Sequence, residues 1–162
     1  MTQQNYRSDQ EIYALVNEFE TCQINPHHFN HHQHMTVAMG YLNDFSEEKT
    51  GQKIRQGLIR LLENHGAPEE KVRALYNETI TLFWVKLLSH VLKSLDRQEP
   101  LYAKINWAIE HYGSMEPLFK HYSRDLVFSL QAKEKWMEPD LAPLPFSLAR
   151  EKKMGITRRE GG

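Results

Sequence analysis

Histidine is the residue type in this chain whose spacing could support chemistry. Five of the nine histidines lie between positions 27 and 34: His27, His28, His31, His32 and His34. Neutral imidazole can bind a metal ion or act as a general base, and its charge changes close to neutral pH. The positive end of a helix dipole disfavours imidazolium, so the neutral form is favoured at a helix start. The cluster is therefore the first candidate for a functional site.

The spacing of these histidines is that of side chains sharing one helix face. His31 and His34 are three residues apart, and His27 and His31 are four apart, so either pair could share one metal ion on a helix. With about 100° per residue, a regular helix over 26–45 places all five histidines on the side of its apolar residues. Those apolar residues are Met35, Ala38, Met39, Tyr41, Leu42 and Phe45. We therefore expect the histidines to line a cleft or one end of a bundle.

A second segment is predicted to form the opposing wall. Residues 68–95 have the apolar spacing of one long helix, with Trp84 at the centre of the apolar stripe. Asn77 and Thr81 lie within this stripe, and Glu78 lies on its border. Buried amide and hydroxyl groups need hydrogen-bond partners. We expect these groups to pair with the histidines, with a ligand or within the fold.

Helices must position all of these residues. Ser8 and Glu11 have the pattern of a capping box, Asn25-Pro26 is typical of a helix start, and Gly66 is typical of a helix end. The predicted helices span 9–22, 26–45, 46–66, 68–95 and 100–112, followed by short helical pieces over 115–137. The helix over 68–95 is long enough to kink or split.

The predicted fold class is all-α, because no segment alternates polar and apolar residues as a strand does. We expect a single-domain helical bundle of five or more helices over residues 8–146. Three prolines within 139–145 favour an extended C-terminal segment lying over the bundle surface. Residues 147–162 are polar, end in Gly-Gly and are predicted to be disordered.

The composition is that of a globular protein without a charged partner. The 162 residues are 40% hydrophobic and 25% charged, with a net charge of −1, which does not favour nucleic acid or membrane as a partner. The N-terminus lacks the pattern of a signal peptide. Cys22 is the single cysteine, so no internal disulfide forms, and we expect a reducing, cytoplasmic location.

Several short motifs occur along the chain in an order that resembles that of a known family. They are Phe29-Asn30-His31-His32-Gln33-His34, Gly57-Leu58-Ile59, His65-Gly66, Tyr76-Asn77-Glu78-Thr79 and Trp136-Met137-Glu138-Pro139-Asp140-Leu141. This pattern resembles a family of small all-helical bacterial proteins of unassigned function, and the likeness covers most of residues 10–145. The resemblance implies a third histidine at position 77, beside a glutamate. This chain has Asn77 there, which is a poor ligand for zinc or iron.

The first hypothesis is a metal-dependent enzyme acting on a small molecule, of hydrolase or oxygenase type. His31, His34 and Glu78 would be the ligands of zinc or iron, a two-histidine, one-carboxylate set with open positions for water or substrate. Tyr76, Asn77 and Thr81 would orient the substrate, and Glu78 would also take part in catalysis.

Two other hypotheses need no metal. In the first, the histidine pocket, together with Trp84 and Tyr41, is a non-catalytic module for a small organic ligand or a helical protein partner. In the second, the chain is a pH-sensitive structural bundle whose stability falls as the pH drops through about 6.5, because its histidines are buried in the neutral form.

Overall fold

A computed structural model describes residues 5–145 of the chain. Within this range the chain forms nine α-helices and one 3-10 turn, and no β-strand. The helices are α1 Asp9–Glu20, α2 His31–Asp44, α3 Glu47–Asn64, α4 Glu69–Leu75, α5 Glu78–Ser94, α6 Leu101–Tyr112, α7 Glu116–His121, α8 Arg124–Val127 and α9 Leu130–Glu134. The all-α prediction is confirmed, as are the short helical pieces after α6.

The first helix begins at the predicted capping box. The Ser8 hydroxyl accepts a hydrogen bond from the Glu11 amide, and the Glu11 carboxylate accepts one from the Ser8 amide. This reciprocal pair satisfies two amides that a helix start otherwise leaves without partners. Helix α1 ends two residues before the predicted end, and Cys22 has a left-handed backbone with φ of 60°. The chain therefore turns sharply before it reaches the histidines.

The prediction of one regular helix over 26–45 is wrong. Pro26–His28 forms a 3-10 turn, and α2 starts only at His31. Two asparagines cause the interruption: Asn25 caps the turn by accepting from the His27 amide, and Asn30 caps α2 by accepting from the Gln33 amide. Asparagine side chains that bond the nearby backbone in this way compete with a continuous helix.

The break separates the histidine cluster into two groups. His27 and His28 are exposed on the 3-10 turn and do not continue the apolar stripe. His31, His32 and His34 lie in the first turn of α2 and are half-buried. The expectation that all five rings share the apolar face therefore fails for His27 and His28.

The long segment over 68–95 splits into two helices. Tyr76 and Asn77 are extended, and the Asn77 side chain accepts a hydrogen bond of 2.9 Å from the Ile80 amide. Asn77 is thus the N-cap of α5 and does not lie within a helical stripe.

Helix α2 lies at the centre of the bundle. It packs against α1, α3, α5 and α6, and its residues from Met35 to Tyr41 are all buried. Helix α3 approaches α1 closely because Gly57 carries no side chain, and a β-carbon there would collide with the Phe19 ring. The first turn of α2 lies against the middle of α5, where the His31 ring contacts Trp84.

The described C-terminal segment is tied to the bundle by polar contacts. Residues 135–145 form no helix or strand. The Tyr122 hydroxyl donates to the Met137 carbonyl over 2.6 Å, the Ser123 hydroxyl donates to Asp140, and the Leu141 amide donates to the His121 carbonyl. The predicted disordered tail over 147–162 lies outside the described residues.

None of the helices within residues 5–145 combines the length and the apolar character needed to cross a membrane.

Candidate ligand-binding cleft

A cleft of about 390 Å³ opens between α2, α3 and α5. Most of its wall is apolar, and among the residues of 5–145 that line it there is no Asp, Glu, Lys or Arg. The polar residues of the wall are His31, His34, Tyr76, Asn77 and Thr81. Its apolar residues include Phe29, Met35, Ala38, Leu58, Leu61, Ile80, Trp84, Leu88 and Met115. Five of the six residues that the sequence proposed for a site therefore line one cleft.

His31 and His34 are held in the wall by aromatic contacts. The His34 ring stacks on Phe29, with centroids 4.1 Å apart, and the His31 ring meets Trp84 edge to face at 4.5 Å. Phe29 precedes the α2 cap and is buried, so the interruption of the helix is what places it against His34. The HxxH spacing brings both rings to the same cleft, as expected from one turn of helix.

Both imidazoles are neutral near pH 7. Burial lowers the pKa of His34 to about 4, and the nearby His31 lowers it further against a raising effect of the Phe29 backbone. Burial also lowers the pKa of His31, as does the neighbouring His32, while the Tyr112 backbone raises it. Burial disfavours the charged form of any titratable group. The cleft therefore contains two neutral rings and no compensating carboxylate.

Two nitrogens of the cleft wall have no hydrogen-bond partner among the described residues. They are Nε2 of His31 and Nε1 of Trp84, and both are shielded from solvent. A buried polar atom without a partner costs about 1–3 kcal/mol. Most buried polar groups in proteins are paired, and the exceptions call for a physical explanation.

Asn77 is fully engaged in the fold. Its Oδ1 accepts from the Ile80 amide, and its Nδ2 donates to the Val127 carbonyl over 2.8 Å. The side chain joins the start of α5 to α8 and has one described partner for each of its polar atoms. This role explains a polar residue that is only 9% exposed beside an apolar cleft.

Glu78 is directed away from the cleft. Its carboxylate accepts from Arg55 over 3.0 Å and from the Tyr76 hydroxyl over 2.6 Å. It lines a second, charged groove of about 450 Å³, together with Glu47, Glu48 and Lys86. Burial raises the pKa of Tyr76, and so does the Glu78 carboxylate, whereas a hydrogen bond with Thr81 lowers it. The Tyr76 hydroxyl is therefore a bound donor and not a free acid.

The proposed ligands of a metal are only partly brought together. His31 and His34 share the cleft, whereas Glu78 is on the other side of α5. Residues 5–145 contain no group of three His, Cys, Asp or Glu side chains that could hold a metal ion. The arrangement does not fit a two-histidine, one-carboxylate centre built from these three residues.

Other residues singled out by the sequence have separate roles. His32 Nε2 hydrogen-bonds the Gly113 carbonyl at 3.1 Å and joins α2 to the end of α6. The Tyr41 hydroxyl donates to Glu20 and lies outside the cleft wall. Trp84 is in the wall, as expected for the centre of the α5 stripe.

Sequence reasoning missed part of the cleft. Met115 comes from the connection between α6 and α7, and no local pattern predicts which loop covers a cleft. Phe29 could have been found, because it directly precedes the asparagine that caps α2. Leu58 and Leu61 lie in the predicted helix over 46–66, and their spacing does not indicate that they face a cleft.

No protein-family model, no curated protein and no solved structure matches this chain. The resemblance of its motifs to a family of small bacterial proteins therefore stays a prediction. The site is defined by its geometry alone, as an apolar cleft with neutral histidines at one end.

Proposed function

We propose that this protein is a binding module for a small, mainly apolar organic ligand, which it holds in the cleft between α2, α3 and α5. The observation that carries the proposal is the cleft of about 390 Å³ at the place where three core helices meet. Protein interiors are normally close-packed. Clefts of roughly 300–1,000 Å³ with mostly apolar walls and a few polar groups are typical of small-molecule sites.

The chemistry of the wall supports a neutral ligand. Burying a charge is costly unless an opposite charge meets it, and the described wall offers no charged side chain. His31 and His34 are neutral near pH 7, since burial lowers the pKa of both. An apolar body gains from burial about 25 cal/mol for each Å² of its surface removed from water.

An exposed apolar side chain marks the entrance to the cleft. Leu75 is 55% exposed although it belongs to the wall, and it ends α4 directly before the extended Tyr76. A half-buried Leu62 lies in the same wall. We infer that a ligand enters between α3 and the junction of α4 with α5.

The test is a titration with N-phenyl-1-naphthylamine, a neutral probe that fluoresces in apolar surroundings. We expect saturable binding by the wild-type chain and a rise in melting temperature with probe concentration. Ala38→Leu extends a side chain into the cleft and should weaken binding at least tenfold. Ala74→Leu makes the same change at an exposed position of α4, outside the wall, and should bind as the wild type does.

Two outcomes would overturn the proposal: no saturable binding by the wild type, or equal binding by the Ala38→Leu variant. Circular dichroism first establishes that each variant folds. If Ala38→Leu does not fold, Leu62→Trp narrows the cleft from a half-buried position and takes its place.

A metal-dependent enzyme is the second candidate. It is favoured by one observation, that two neutral imidazoles on adjacent turns line the same cleft. Zinc or iron would then need a further ligand other than Glu78, which Arg55 and Tyr76 hold elsewhere. Metal analysis of untagged protein tests this: stoichiometric metal, lost together with stability on adding a chelator, would favour the enzyme over the binding module.

A further inference from the structure

Two side chains of the cleft wall carry the unpaired nitrogens. His31 and Trp84 both belong to the wall, and their rings meet edge to face with centroids 4.5 Å apart. Trp84 is only 7% exposed. Two further buried atoms without partners among residues 5–145, Oε1 of Gln33 and Oγ1 of Thr50, are outside the cleft wall. Among the described residues of the cleft wall, the unpaired nitrogens therefore belong to one pair of contacting rings.

The polar groups of the wall at the α4–α5 junction are already paired. Asn77 bonds the Val127 carbonyl and the Ile80 amide, and the Tyr76 hydroxyl bonds Glu78. Thr81 interacts with Tyr76. A polar group of a ligand therefore adds little binding free energy at the α4–α5 junction. It adds most where it can bond His31 and Trp84.

We propose that the ligand carries a neutral hydroxyl group, an alcohol or a phenol, which inserts between the rings of Trp84 and His31 and hydrogen-bonds both nitrogens. This inference rests on the proposed binding function and specifies the ligand. Both nitrogens are shielded from solvent, and the two rings are in contact, so the rings must separate for the hydroxyl to reach them. Insertion therefore replaces the edge-to-face ring contact with two hydrogen bonds.

A hydroxyl fits this point better than other polar groups. The indole Nε1–H only donates, so the ligand atom must accept. Neutral imidazole Nε2 donates in one tautomer and accepts in the other, and a hydroxyl can pair with either because it has one proton and two lone pairs. A carbonyl oxygen can only accept. A carboxylate would also bring a charge into a wall without a described cation.

The test compares three probes of the same ring system by isothermal titration calorimetry: naphthalene, 2-naphthol and 2-naphthoate. We expect 2-naphthol to bind about tenfold more tightly than naphthalene, since exchanging bonds to water for bonds to the two nitrogens is worth about that factor. We expect 2-naphthoate to bind more weakly than 2-naphthol. Equal affinity of naphthol and naphthalene would overturn the inference while leaving the binding function in place.

The Trp84→Phe variant separates the two claims further. It keeps an aromatic ring in the wall and removes the N–H donor but leaves the bond to His31, so the advantage of 2-naphthol over naphthalene should fall to about threefold. Trp107→Phe is the matched control, because Trp107 is an exposed residue outside the cleft. It should keep the full tenfold advantage.

Each remaining outcome has a defined meaning. If no probe binds the wild type, the binding function fails together with this inference. If 2-naphthoate binds most tightly, the end group is an anion and the hydroxyl inference is wrong. An advantage of 2-naphthol that stays at about tenfold in Trp84→Phe would likewise overturn the role of the two nitrogens.

Discussion

Helix α5 separates two sites of opposite character. On one side, Thr81 and Trp84 face the apolar cleft; on the other, Glu78 and Lys86 face the charged groove, and Val85 contributes to both. Four of the five charged side chains of the groove are paired, Arg55 with Glu78 at 3.0 Å and Lys86 with Glu47 at 3.5 Å. The cleft instead keeps two nitrogens without partners.

This difference indicates where the protein has unused binding capacity. A groove in which most charges already have a partner offers a charged ligand only a small gain in free energy, because exposed ion pairs are screened by solvent. A molecule that fills an apolar cleft and pairs its buried nitrogens gains binding free energy from both. Charged residues are therefore less informative about function here than the neutral residues on the opposite face of the same helix.

The largest expected difference in stability between the cleft and the groove comes from truncating one leucine of each. Leu61 belongs to the cleft wall and is 1% exposed, and Leu61→Ala should lower the free energy of unfolding by about 3 kcal/mol. Leu82 in the groove is half-buried, and Leu82→Ala should cost about 1 kcal/mol. Urea denaturation of both variants measures the difference. Equal losses would mean that the cleft wall is not part of the core.

The pH dependence of stability is the second contrast. The folded-state pKa of His34 is lowered to about 4, whereas an unfolded histidine titrates near 6.5. Between these values the unfolded chain binds more protons, so stability is complete above about pH 6.5 and is lost as the pH falls towards 4. The loss reaches up to about 3 kcal/mol at the low end of this window.

Chemical denaturation at several pH values between 7.5 and 4.5 measures this slope. His34→Gln removes this group and should reduce the slope, while the contribution of His31, whose pKa burial also lowers, remains. His28→Gln, at an exposed position on the 3-10 turn, should leave the slope unchanged. A wild-type profile that is flat from pH 7.5 to 5 would contradict the burial of neutral imidazoles in the cleft.

A smaller contrast compares two adjacent residues at the start of α5. Asn77→Ala removes the helix cap and the bond to the Val127 carbonyl, and it should cost about 2 kcal/mol. Glu78→Gln weakens the partly exposed pair with Arg55 and should cost about 0.5 kcal/mol. Thermal unfolding ranks the two. Asn77→Ser keeps a cap acceptor and loses the amide donor, so its loss should lie between them.

The sequence predicts most of the local structure and part of the site. Ser8 with Glu11 marks the start of α1 because a capping box depends on residues within one turn. The HxxH spacing places His31 and His34 in one cleft for the same reason. Trp84 is correctly expected opposite them, because the apolar stripe of α5 is regular on both sides of it.

The wrong predictions arise where a side chain bonds the nearby backbone and so ends or starts a helix. A helical wheel that treats 26–45 as one helix puts His27 and His28 in the stripe, whereas Asn30 starts a new helix after them. The wheel over 68–95 likewise ignores the cap at Asn77, so it places Glu78 at the border of the stripe and not in the groove with Arg55. The contribution of Met115 depends on the packing of a distant loop, which no local pattern encodes.

The most direct test of ligand binding in the cleft is a ¹H–¹⁵N spectrum of the three tryptophan indole groups during a naphthalene titration. Trp84 lines the cleft, while Trp107 and Trp136 do not, and the missing peak of Trp84→Phe assigns its signal. We predict a saturable shift of the Trp84 indole with little change at the other two. No shift at Trp84, or equal shifts at all three indoles, would contradict the account.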